Sequence, residues 1–263
     1  MTRGTSYRIL ALATALMVAA PLAAQSLADR IAAVGSGTVR LSFEAKDGVC
    51  GNGRGSISID NGRERTYTTR NGSRAEWSND CESGPVRVAM DVSRRQVTDI
   101  RSYVGGSWRG SADLDLGMVD AAEASRYFVG LAQRAEAKVA EDAVFASVIG
   151  NAPDPWRALL DIAKDDNRPQ RVRRSATFWV AQAAGEAATQ GLTEIVESDE
   201  DREVRKSAVF AISQRPADEA VPVLIRVARS NRDPEIRKSA IFWLGQSRDQ
   251  RAIAYFEEVL LKR

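Results

Sequence analysis

The sequence predicts an α+β protein, a small disulfide-bonded antiparallel β module followed by an α-solenoid of about four helical repeats. Three observations carry that prediction. A phrase returns at a constant interval, Val172-Arg173-Arg174-Ser175-Ala176, Val204-Arg205-Lys206-Ser207-Ala208 and Ile236-Arg237-Lys238-Ser239-Ala240, each copy 32 residues after the last. Upstream, apolar and polar residues alternate with period two, in Val39, Leu41 and Phe43 and again in Val86, Val88, Met90 and Val92, as in half-buried strands. The two cysteines, Cys50 and Cys81, both fall inside that alternating region.

The first element is a leader. Arg3 and Arg8 precede a largely apolar stretch from Ile9 to Ala20, then Pro21 and the small residues Ala23 and Ala24, the three-part plan of a secretory signal peptide over residues 1–24. The stretch is too short for the ~20 residues that cross a bilayer, so no stable membrane span is expected after cleavage. The location implied is periplasmic or secreted. In such a compartment an even cysteine count reads as one disulfide, Cys50 to Cys81, two independent thiols being the alternative. Without the leader, 35 basic residues face 35 acidic ones, and this balance argues against a nucleic-acid partner, which would demand a basic excess.

Residues 25–112 form the expected β module. Ser26 to Val34 opens it as a short amphipathic helix, with Leu27, Ile31 and Val34 at helical spacing. Strands follow around Val39 to Phe43, Ile57 to Ile59, Thr66 to Thr69, Val86 to Val92 and Val97 to Val104, with Asn61-Gly62 as a hairpin signal. Gly51-Asn52-Gly53-Arg54-Gly55 lacks the Gly-Lys-Ser/Thr ending of a phosphate loop and reads as a mobile turn. Asn71-Gly72-Ser73 is a formal glycosylation sequon. Residues 113–138 are read as a connecting helix, capped by Asp120 and carrying Ala124, Tyr127, Phe128 and Leu131 as one stripe.

The array spans residues 139–263. Phe145, 33 residues before Phe178, marks a degenerate first unit whose second helix runs from Trp156 to Ala163. In later units Asp201 and Asp233 stand three residues before the Val/Ile position, where a carboxylate caps a helix, and Pro234 suits a first turn. Val172, Ala176, Trp179, Val180 and Ala183 share one arc, the side expected to meet the second helix. Arg173, Arg205 and Arg237 are expected to pair with acids near the helix starts, such as Asp199, Glu200, Asp201 and Glu235.

A unit reading Val-Arg-Lys-Ser-Ala-x-Phe-Trp-Leu-Gly-Gln, then a turn, then an apolar helix such as Ala220 to Ala228, resembles the HEAT repeat in its bacterial, phycobilisome-lyase-like form. The resemblance implies paired antiparallel helices and a protein partner. It also implies a rival role, a lyase or chaperone handling a chromophore or small ligand, which the leader argues against because pigment attachment to phycobiliproteins is cytoplasmic.

Two repeated positions are left as candidate partner-binding residues: the basic row Arg174, Lys206 and Lys238, and the aromatic row Phe178, Phe210 and Phe242. The Phe row has two readings, stacking from repeat to repeat or display to a partner; repeated identity favours stacking. Ile253, Tyr255, Phe256, Val259 and Leu260 make the last helix a second candidate surface, for self-association. Catalysis is not expected. The sequence contains no histidine, which removes serine and cysteine triads and most zinc sites, and the acidic pairs Asp113/Asp115, Glu141/Asp142 and Asp165/Asp166 fall where caps and turns are expected. No metal and no cofactor is predicted.

Overall fold

The structure, a computed structural model, describes residues 25–59, 65–68, 81–108, 110–182 and 186–261. The expected leader, the Asn61-Gly62 signal, the sequon and Ala183 lie outside them. A helix α1 (Leu27–Ala32) is followed by strands β1 (Gly37–Phe43), β2 (Val49–Gly51), β3 (Ser56–Ile59), β4 (Arg65–Thr68), β5 (Glu82–Ser83), β6 (Val86–Ser93), β7 (Gln96–Tyr103) and β8 (Leu114–Met118). Nine helices complete the described chain: α2 (Ala121–Arg134), α3 (Ala137–Val148), α4 (Trp156–Lys164), α5 (Gln170–Val180), α6 (Glu186–Ser198), α7 (Arg202–Ser213), α8 (Ala217–Ser230), α9 (Pro234–Ser247) and α10 (Gln250–Leu261).

The strands form two four-stranded sheets, β7-β6-β1-β8 and β4-β3-β2-β5. In the first, Val39 faces Met90 and Leu41 faces Val88 across an antiparallel ladder, so the alternating apolar residues of both strands fall on one buried face. Arg94 and Arg95 turn the β6–β7 hairpin with φ of 50° and 66°, the left-handed pair that a tight hairpin turn requires. In the second sheet, Cys50 on β2 is bonded to Cys81, whose Cα lies 5.3 Å away. That bond ties β2 to the start of β5, which pairs with it.

Two expectations change here. β8 lies beyond residue 112, inside the stretch read as a connecting helix, and it runs parallel to β1, with Val39 opposite Leu114. The sheet is therefore mostly, not wholly, antiparallel. The strand escaped notice because it is short, only partly covered, and interrupted by Gly117 at φ 65°. The glycine-rich loop is an ordered turn: the Asn52 side chain accepts from the backbone N–H of Arg54 (2.9 Å) and Ser56 (3.2 Å), and Gly53 N–H donates to the Val104 carbonyl (2.8 Å).

The module and the helices share one core. Phe43 of β1 meets Phe128 of α2 at 6.1 Å between ring centroids, and the buried apolar residues form a single cluster from Leu27 to Tyr255. Backbone bonds reinforce the seam, with Lys46 N–H on the Ile149 carbonyl and Asn151 N–H on the Glu44 carbonyl. Beyond it, α3, α5, α7 and α9 stack as one layer and α4, α6, α8 and α10 as the other. Between the layers, α4 packs closely on α5, α6 on α7 and α8 on α9, whereas α5 barely touches α6. Each first helix thus packs mainly on the second helix of the unit before it, so the apolar arc of α5 does not chiefly face α6.

Candidate functional site

The repeated residues sort by depth. Val172, Val204 and Ile236, with Ala176, Ala208 and Ala240, are wholly buried; they are the steps on which the layers stack. Deletion of their side chains would open cavities, so their repetition needs no partner to explain it.

Next come the arginines. Arg173 is buried, donates from Nε to the Ala163 carbonyl (3.0 Å) and from Nη2 to the carboxylates of Asp199 and Asp166. Arg205, one unit on and partly buried, reaches a different acid, the cap residue Asp233, from Nη2 at 2.9 Å. Arg237 instead donates to the backbone carbonyls of Asn231 (2.7 Å) and Arg232 (3.2 Å), not to an acid. The expected pairing thus holds for two units, and in the third a loop carbonyl takes the acid's place. A buried guanidinium needs such acceptors, because an unpaired one would be severely penalised.

The caps add a cross-repeat link that the spacing alone did not reveal. The Asp201 carboxylate accepts from the N–H of Glu203 (2.8 Å) and Val204 (3.2 Å), and from Gln170 Nε2 of the preceding unit (2.7 Å). The Asp233 carboxylate caps Glu235 N–H (2.9 Å) and takes Arg202 Nε (2.9 Å), again from the unit before. Positions 170 and 202 are one repeat apart, so the same contact recurs. Burial pushes the Asp201 carboxyl upward, but the Gln170, Val204 and Glu203 donors outweigh it and hold it below the usual range. For Asp233 the Arg202 guanidinium is the main cause of a lowered pKa, with the Glu235 N–H next. Asp199 goes the other way: burial raises it against the pull of the Asp201 N–H and Arg173.

The aromatic row is part of a longer ladder. Phe145 meets Trp179 at 5.7 Å, Trp179 meets Phe178 at 5.1 Å, Phe178 stacks on Phe210 at 6.4 Å and 13° between planes, Phe210 meets Trp243 at 4.9 Å, and Trp243 meets Phe242 at 4.9 Å. These separations are those of favourable ring pairs. The ladder runs through α3, α5, α7 and α9, joining four units. Phe178 and Phe210 are half-buried in it, while Phe242, its last ring, is 56 % exposed. Trp179, expected on the arc facing the second helix, is a ladder member, and so is Trp243. The signal was present: Ala211 stands where the neighbouring units have Trp, and Trp243 fills the place beside Phe210.

The basic row is not a positive stripe. Arg174 Nε donates to Ser207 Oγ of the next unit at 2.9 Å. Lys206 pairs with Glu203 (3.0 Å) and Lys238 with Glu235 (2.7 Å), one turn earlier on the same helices. Lys238 holds the Glu235 carboxyl below its ordinary pKa. The surface beside the ladder therefore alternates in sign. On α10, Tyr255 is buried while Ile253, Val259, Leu260 and Leu261 are exposed.

With this geometry in view, the comparison with known families is direct. Residues 189–263 match the family model for HEAT repeats. The match covers α6 to α10 and supports reading the array as HEAT repeats, helical scaffolds for protein interaction. No curated protein matches the chain.

Proposed function

We propose that this chain is an exported, non-catalytic scaffold whose HEAT array captures a protein partner along the outer edge of the α5, α7 and α9 layer. The observation that carries the proposal is the opening of the aromatic ladder: Phe242, with Ile241 and Lys238 beside it, is exposed, whereas the equivalent rings one and two units earlier are half-buried between their neighbours. An exposed aromatic among ion pairs of both signs is the composition of a protein-binding patch. It suits a partner with its own mixed charges and an apolar anchor, and it does not suit a polyanion.

Export is supported by the leader pattern of residues 1–24 and by the Cys50–Cys81 bond, which persists in a non-reducing compartment. No helix among the described residues is long and apolar enough to cross a membrane. The lack of histidine removes the commonest general base, and the repeated arginines and acids are engaged in caps and inter-unit bonds. The likeness to phycobilisome-lyase-like repeats leaves chromophore handling as the competing reading, which a bilin-induced absorbance change would favour.

Two experiments test the proposal. The amino terminus of the exported protein should begin after Ala24; retention of residues 1–24 in the cytoplasm would refute export. Affinity capture from the exported fraction should return a protein that a Phe242→Asp variant loses, and that a Lys206→Glu/Lys238→Glu variant binds less. An identical partner set for all three proteins would refute the surface.

A further inference from the structure

We propose that the β module carries a binding site for a small organic anion, its charge borne by carboxylate or phosphate, in a cavity on the outer face of the β7-β6-β1-β8 sheet. The cavity has a volume of about 270 Å³, and Arg40, Arg54, Arg87, Arg101, Tyr103 and Trp108 are among its lining residues. This site is separate from the helical surface and does not rest on the scaffold reading.

Strand register builds the floor. Arg40 on β1 lies opposite Ala89 on β6, and Ala89 lies opposite Arg101 on β7, so two arginines flank a methyl group in one row across three strands. In the adjacent row Arg87 lies opposite Tyr103. A large residue at 89 would fill the depression; alanine leaves it open. The walls are two loops, one bringing Arg54 and the other Trp108. Glycines let them meet: a Cβ on Gly53 would stand 2.8 Å from the Gly105 carbonyl oxygen, and one on Gly105 would stand 2.5 Å from the Gly51 carbonyl oxygen. Side chains there would drive the loops apart.

Three of the guanidinium groups are held by neighbours. Arg87, 5 % exposed, donates to the Gly105 carbonyl. Arg40 pairs with Asp115 at 2.8 Å, and Arg101 pairs with Asp91 at 2.8 Å and Asp99 at 2.6 Å. The Trp108 ring lies 5.2 Å from the Arg40 guanidinium and 5.5 Å from that of Arg87, a cation–π arrangement that steadies both. None of these three carboxylates lines the cavity, and among the described lining residues there is no acid. The lining itself is therefore positive, and the balancing carboxylates stand next to it on the same sheet face, Asp91 and Asp99 in the row of Thr38 and Asp115 opposite Arg40. These arginines stay cationic beside their partners, and guanidinium forks match carboxylate and phosphate oxygens. The hydroxyls of Ser107 and Ser111 on the same lining add neutral donors, while that of Thr38 is engaged with the Asp91 carboxylate at 3.0 Å.

Size selects a small molecule. The volume falls just under the ~300–1,000 Å³ of pockets for drug-sized ligands, and the aromatic wall of Tyr103 and Trp108 suits a planar or ring-bearing body.

Calorimetry and tryptophan fluorescence on the full mature chain test this, with benzoate, phenyl phosphate and succinate as probes, inorganic phosphate as the free ion, and benzyl alcohol as the neutral counterpart. Saturable binding of at least one organic anion is expected, with benzoate against phenyl phosphate deciding the head group and no response to benzyl alcohol. Arg54→Glu, at an exposed position, should weaken binding about tenfold or more, the change expected when a charge-assisted contact is lost. Its circular dichroism and melting temperature should stay those of the wild type. Trp108→Phe is the second variant and should weaken binding while keeping the fold. Absence of saturable binding up to about 10 mM of every organic probe, inorganic phosphate binding as tightly as phenyl phosphate, or affinities unchanged in both variants would each overturn the proposal.

Discussion

In the β module Thr38 N–H donates to a carboxylate 75 residues away, on Asp113, and β1 has partners at both β6 and β8. In the helical array the principal polar links reach only to the next unit, 31 residues from Gln170 to Asp201 and 28 from Arg205 to Asp233. One region closes long loops and uses a covalent bond to do so; the other repeats a short contact. A lesion in the array should therefore be felt by adjacent units, and a lesion in the module by the whole sheet.

The largest effect is expected from Arg173→Ala, which leaves Asp199 buried without its guanidinium and should cost about 3–5 kcal/mol; denaturant titration of helical ellipticity measures it. Arg173→Met, which keeps volume, should not rescue, because the carboxylate remains. Replacing Cys50 and Cys81 by Ser releases a loop of 31 residues and should cost about 3–4 kcal/mol, with hydrogen exchange rising first in β2 to β5. Equal exchange in α7 to α10 would contradict the contrast. Phe178→Ala should cost about 2 kcal/mol, since half of a ring and two ladder contacts are lost. Phe242→Ala should cost about 0.5 kcal/mol or less, as at ordinary surface positions; equal losses would show that the ladder does not open toward α9.

The smallest effect is acid sensitivity. The carboxyls of Asp201 and Asp233 are held below the ordinary value of about 3.9. Such groups lend stability that is complete above the unfolded value and disappears as pH falls through the folded one. The array's melting temperature should thus drop as pH decreases below about 4, and Arg202→Ala with Arg205→Ala should flatten the slope. An unchanged slope would remove the inter-unit links from the account.

The same contrast explains what could be read in advance. The 32-residue phrase, the Asp201 and Asp233 caps and the stacking of Phe178 on Phe210 depend on local spacing, and spacing is written in the chain. The cysteine pair was legible because only two cysteines exist. β8 was not, since its pairing to β1 depends on a parallel return that five residues around Gly117 do not announce. Nor was the Arg40, Ala89 and Arg101 row, because the three lie on different strands and only register brings them together. The acids beside the basic row are a matter of the same local spacing: Glu203 and Glu235 sit one helical turn before Lys206 and Lys238 and pair with them.

The backbone bridge from Ala45 to Gly150 carries a consequence for the order in which the molecule assembles. Synthesis delivers β1 long before the turn after α3 that completes its end, so the strand must wait through the sheet and two helices for its last partner. Contacts of such sequence separation slow folding and leave apolar edges uncovered meanwhile. A chain shortened before residue 150 should consequently hold Phe43 and its neighbours exposed and aggregate, whereas one shortened after α8 should still close the seam.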